Sequence, residues 1–216
     1  DSNALASAST VNNLAGLAAA VAFNAQTMNT VAAIGGAATA DQIVLRADNS
    51  GDGIHTLLAD SVSGVGTTAA GLSGAISVTQ ALGTTNAFVD NGAALTLTGV
   101  AASGEDDLLV QADATIDNLA TATPAINAAT TVGVGASVEL NSGNFATRAE
   151  IFDAAIFGAD DVLVIATGDY ETDAQAGAGA SNSDAVAASV AAVLSNNNTI
   201  ARLWNSTLAS TIAGNL

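Results

Sequence analysis

Hydrophobic and polar positions follow three rhythms along this chain. Near the start, Val11, Leu14, Leu17, Val21, Met28 and Val31 recur at helical spacings, with Ser9 or Thr10 placed to cap and Gly35-Gly36 to stop, which predicts a helix over residues 9–34. From Thr56 to Leu140 the pattern becomes short alternating runs between Gly, Ser, Thr and Asn turns, as in Ala75-Ile76-Ser77-Val78 and Leu95-Thr96-Leu97-Thr98. Such alternation marks strands with one face buried. Asn91-Gly92, between Phe88-Val89 and Leu95-Thr96, is a hairpin signal and favours local antiparallel pairing. Helical spacing returns from Thr147 to Phe157, and again in a terminal pair over residues 183–213, broken at Asn196-Asn197-Asn198. In its second member Ile200, Leu203, Trp204, Leu208 and Ile212 form a stripe suited to packing on a sheet. Residues 171–182, ETDAQAGAGASN, read as a loop.

One stretch recurs. Asp41 to Ile54, DQIVLRADNSGDGI, runs from an acid through Ile43-Val44-Leu45 into an oxygen-rich turn, and related wording returns as EDDLLVQAD from Glu105 and ADDVLVIATGD from Ala159. Aligned on Asp41, Asp106 and Asp160, the copies lie 65 and 54 residues apart, an unequal repeat that reads as one structural device used three times. These patterns together predict a single, mainly β domain over residues 1–216, an antiparallel β-sandwich-like core with peripheral helices at the N- and C-termini. The alternative is a parallel β-solenoid, because apolar runs also recur at about twenty residues, a spacing found in solenoid coils.

Composition narrows the chemistry. Half of the 216 residues are hydrophobic but only 3% are aromatic, so the core has to be built from Ala, Val, Leu and Ile. Small side chains bury little area at roughly 25 cal/mol per Å², which leaves a role for regular pairing, ions or partner subunits. Arg46, Arg148 and Arg202 are the three cationic residues against 20 acids, a net charge of −17 that disfavours nucleic acid and anionic lipid. No apolar run near the start is long enough to span a bilayer, so membrane insertion is not expected. Cysteine is absent, which removes disulfides, thiolate metal sites and cysteine nucleophiles.

The oxygen-rich turns carry the candidate chemistry. Asp48, Ser50 and Asp52 alternate ahead of Gly53 as calcium ligands do, with Asp60 available as a further oxygen; Asp106, Asp107, Asp160 and Asp161 are secondary candidates. Ala59 stands where an EF-hand needs a bidentate acid. His55 is the one histidine and has no GxSxG elbow to serve, so no catalytic residues are assigned and the chain is not expected to be an enzyme.

The stretches ADQIVLRADNSGDG and GADDVLVIATGD, in a cysteine-free, alanine-rich acidic chain, resemble those of bacterial type I-secreted surface proteins, including calcium-binding S-layer and repeat-in-toxin relatives. The resemblance implies export, folding on meeting calcium, and assembly outside the cell. The expectation is an extracellular or cell-surface structural protein that assembles with copies of itself into a layer, filament or matrix, stabilised by calcium. The alternative is a calcium-stabilised adhesive module of a larger exported protein.

Overall fold

The computed structural model describes residues 2–49, 55–99, 107–126, 132–179 and 184–209, and every regular element among them is a strand. In chain order these are β1 (Ser2–Ile34), β2 (Ala37–Ala40), β3 (Ile43–Asn49), β4 (His55–Val89), β5 (Ala94–Leu97), β6 (Leu108–Ile126), β7 (Val132–Phe152), β8 (Ala155–Phe157), β9 (Val162–Ala176), β10 (Ala185–Trp204) and β11 (Thr207–Ala209). All nine pairings between them are parallel.

The chain winds as a parallel β-solenoid. One column of in-register residues runs Ser2, Leu57, Asn118, Thr172, steps of 55, 61 and 54 residues; another runs Gly16, Gly71, Gly133, Ala185, steps of 55, 62 and 52. Each coil has four walls. A facing wall is built from the first parts of β1 and β4 and the second parts of β6 and β9. A long wall follows, from the rest of β1 and β4 with β7 and β10. The short wall is β2, β5, β8 and β11, and the closing wall is β3 with the first parts of β6 and β9. Where β1 passes from facing to long wall its register shifts between Val11 and Asn13 and again before Ala15, as a corner-turning bulge does.

This overturns the antiparallel sandwich and every expected helix. Residues 9–34 lie in β1, Thr147 to Phe157 in β7 and β8, and the described part of 183–213 in β10 and β11. Alanine favours a helix locally, but β1 pairs with β4 almost residue for residue, and that long-range ladder decides the outcome. Leu17, Val21 and Val31, read as a helical stripe, all point outward as alternate residues of one strand. Asn91-Gly92 is a coil corner: Gly92 takes φ +79, and β5 leaves β4 to pair in parallel with β2 and β8. Of the expected loop 171–182, residues 171–176 belong to β9, and 180–182 lie outside the described residues. The coil is also far longer than the twenty-residue spacing considered from sequence.

Bulky aliphatics gather at one end of the cross-section. Ile43, Leu45, Val89, Leu95, Leu108, Val110, Ile151 and Ile156 pack where closing wall, short wall and the end of the long wall meet. Elsewhere the facing and long walls lie close together, and apart from Val65 and a cluster of Leu57, Ile116 and Phe145 their inward positions are mostly small or polar. Ala59, Ser61, Ser63, Ser73, Ala75, Ser77 and Thr79 are all buried. Several of these side chains tie the two walls by donating to main-chain carbonyls opposite. Ser77 Oγ reaches Ala59 O at 2.6 Å, Asn141 Nδ2 reaches the carbonyls of Asn118 and Asp173 at 2.7 Å each, and Asn24 Nδ2 reaches those of Ser2 and Leu58 at 2.6 and 3.0 Å. Buried polar groups held this way avoid an unmet desolvation penalty.

The alternation is therefore inverted in the long wall. Ala75 and Ser77 face in, whereas Ile76 faces out at 42% exposure. In the short wall Leu95 and Leu97 face in, the usual way round.

Candidate functional site

Of the eight expected calcium ligands, Ser50, Asp52 and Asp106 lie outside the described residues. The other five are spread over different walls. Asp48 is on the outer face of β3, directly in register with Asp113. Asp60 is on β4 beside a shallow cleft lined by Leu5, Ala6, Ser7 and Val62, with no second acid among those residues. Asp107, Asp160 and Asp161 do come together, at the turn between short and closing walls, but as a staple between coils. The buried Asp107 carboxylate accepts the main-chain N–H of Asp160 at 2.5 Å and that of Asp161 at 3.4 Å, one coil further on. The same turn one coil earlier is tied by Thr98 Oγ1 donating to Asp41 Oδ1 at 2.9 Å. Among the described residues no three His, Cys, Asp or Glu side chains converge in a way that could hold an ion.

The recurring acids nevertheless make a surface. Asp48 stacks on Asp113, and Asp117 on Glu171, as in-register carboxylate pairs along the closing and facing walls. Like charges opposite one another on a sheet are destabilising. Asp113 is partly compensated by a relay, in which Gln111 Nε2 donates to its carboxylate and Gln111 Oε1 accepts from Arg46 Nε at 3.1 Å. His55 opens β4 in a cleft of about 220 Å³ with Ser2, Gln26, Met28, Asn49, Thr56 and Leu57, and none of these residues is an acid that could orient an imidazole base.

Two features were not singled out from sequence. Glu139 lies inside the coil with no exposed surface, and neither carboxyl oxygen meets a donor in hydrogen-bonding geometry among the described residues. Burial pushes its carboxyl from the ordinary 4.5 up to about 7; the Gln175 main-chain N–H pulls the other way, and Asp173 and Asp60 add a smaller push upward. The signal was the parity of the run: Ser137, Glu139, Asn141 and Phe145 all sit at alternate, inward positions.

The second is a cluster on the outer long wall near its corner. Arg202 Nε pairs with Glu150 Oε1 at 2.9 Å, and its guanidinium sits 5.3 Å from the Trp204 ring, which meets Phe152 edge-on at 5.5 Å. Arg148, Glu150, Phe88 and Asn86 line a shallow cleft of about 220 Å³ beside it. Among the described residues no helix is long and apolar enough to cross a membrane. Comparison with family models, curated proteins and solved structures finds no match to this chain, which leaves its own coils and surfaces as the ground for a functional reading.

Proposed function

We propose that the chain is an extracellular structural protein that assembles end to end with copies of itself into a filament or layer. One observation carries this: among the described residues, the first and last long strands, β1 and β10, each present a long parallel edge with no partner strand. β1 spans 33 residues and β10 spans 20, and among the described residues each pairs on one side only. Natural edges are blunted by lysine, proline, bulges or brevity. Here the chain has no lysine, its single proline is Pro124 inside β6, β1 carries no charged residue from Ser2 to Ile34, β10 carries only Arg202, and the register shifts of β1 between Val11 and Ala15 fall at its corner, ahead of the long wall. Because the two edges belong to the same wall and run in the same direction, β1 of one copy can extend the ladder beyond β10 of another. That contact is head-to-tail and does not close, so it builds a filament.

Stacking in register would place Asn196 of one copy against Thr27 of the next, since Thr27, Leu82, Asn144 and Asn196 share a column. Thr27→Lys with Asn196→Lys should therefore abolish filaments seen by electron microscopy, although net repulsion falls. Thr27→Lys with Asn196→Glu should restore them. Dispersed monomers of the unaltered protein at high concentration would overturn the reading.

Calcium enters as a counter-ion for the stacked carboxylates. Millimolar calcium and magnesium should raise the melting temperature alike by a few degrees, with sodium chloride less effective per mole. A large rise at micromolar calcium that magnesium cannot reproduce would instead mean a built site. The Trp204, Phe152, Arg148 and Arg202 cluster favours a second reading, an adhesive module of a larger exported protein, because it gathers two of the three cationic residues beside exposed aromatic surface. Under that reading the chain stays monomeric, and Trp204 fluorescence responds to a glycan or protein ligand.

A further inference from the structure

We propose that the outer face of the long wall is a lateral docking surface for a second copy of this chain, packed face to face. Its centre is a four-coil column, Val21, Ile76, Val138 and Val190, exposed by 61, 42, 46 and 58%. On one side Leu17, Leu72 and Val186 stand in a parallel column; on the other, Phe23 and Leu140 do. Ile76, Leu72, Val138 and Leu140 belong to the middle coils, so their exposure does not come from an open end of the rod.

Three observations name the occupant. The first is charge. In a chain of net charge −17, β1 and the long-wall part of β4 carry no charged residue at all. β7 and β10 carry four: Glu139 points inward, and Arg148, Glu150 and Arg202 lie beyond the column of Asn144, near the corner. The other described acids sit on the closing and facing walls and in the turns. A charged partner finds nothing on this face to recognise short of the Arg148, Glu150 and Arg202 corner, whereas a second copy brings the same neutral surface and keeps both acidic walls in water.

The second is repeat. Apolar side chains stand in columns at the strand spacing of about 4.8 Å, so the ridges of an identical face fit the grooves of this one, as inner faces of stacked sheets do about 10 Å apart. The third is area. The four outward columns from that of Leu17 to that of Phe23, over four strands, cover about 19 by 27 Å, so a face-to-face pair buries on the order of 1,000 Å² in total, the size at which a specific interface begins. An exposed apolar patch of this size is rarely left uncovered. A two-fold axis lying in the interface makes the contact isologous.

The proposal rests on the reading of self-assembly only in naming a copy as the partner, and it is separable from end-to-end stacking because one sets width and the other length. Sedimentation and electron microscopy of the unaltered chain should show units two rods wide, whether short or filamentous. Ile76→Asp with Val138→Asp should halve the mass per unit length, while Val44→Asp, an equally exposed change on the closing wall, should leave it unchanged. Filaments one rod wide would overturn the inference and keep the proposed function; doubled rods that never elongate would do the reverse. Should the charged variants fail to fold, single thiols in this cysteine-free chain decide it. Val138→Cys should lose maleimide reactivity tenfold or more as protein concentration rises, and Val44→Cys should not; equal reactivity of the two overturns the proposal.

Discussion

Glu139→Gln should stabilise the protein at neutral and alkaline pH by about 2 kcal/mol and remove one component of its pH dependence. The carboxyl is fully buried and is raised from 4.5 to about 7, by burial above all. Below 4.5 it is protonated in both folded and unfolded chains and contributes no pH dependence. Between 4.5 and 7 the unfolded chain releases the proton while the folded chain holds it, so stability falls as pH rises through that window. Above 7 both are ionised and the full loss persists. A shift of this size corresponds to about 3 kcal/mol, which bounds the gain from above because the amide that replaces the carboxylate must itself be desolvated. Glutamine keeps the shape and carries no charge. Urea denaturation of both proteins at pH 4, 6 and 8 should give curves that converge at pH 4 and separate at pH 8, and parallel curves would show that Glu139 is not the group responsible.

The solenoid was partly written in the sequence, at the closing wall. Asp41, Asp106 and Asp160 align the three acidic stretches at steps of 65 and 54 residues, and those are the register steps from Ile43 to Leu108 and from Leu108 to Val162. The unequal intervals of that repeat are coils of unequal length. Illegible were the strands whose partner lies a whole coil away: nothing within Ala18-Ala19-Ala20 announces that it pairs with Ser73-Gly74-Ala75. Parity was hidden for a related reason. Where the two walls approach closely, Ala, Ser, Thr, Gly and Asn fill most of the inward positions, so Ile76 and Val138 face outward and an apolar residue no longer marks the inside. Asp107 shows the same limit at the site. Its chemistry suits a metal, but its partners are the Asp160 and Asp161 main-chain amides, which become neighbours only once the coil is wound.

Phe145→Ala should cost about 3–5 kcal/mol, the largest loss expected from any single truncation between the facing and long walls. Phe145 is the one phenylalanine buried among the described residues, 1% exposed, and it packs with Leu57, Ala81 and Ile116 and stacks on Tyr170 with ring centroids 5.1 Å apart. Its space is made by two glycines. A Cβ at Gly83 would lie 2.8 Å from Phe145 Cδ1, and one at Gly143 would lie 2.8 Å from Cε2. Gly83→Ala alone should therefore cost about 1–3 kcal/mol by overpacking. Combined with Phe145→Ala it should cost less than the two separately, because the new methyl enters the vacated space; residues in direct contact couple by about 0.5–3 kcal/mol. The cycle also tests wall separation. If this ring holds the walls apart, Phe145→Ala lets them close over the gap and disturbs the outward columns of Ile76 and Val138, so lateral pairing should weaken along with stability. Additive costs in urea denaturation, with pairing untouched, would show that the ring fills space without setting the distance between the walls.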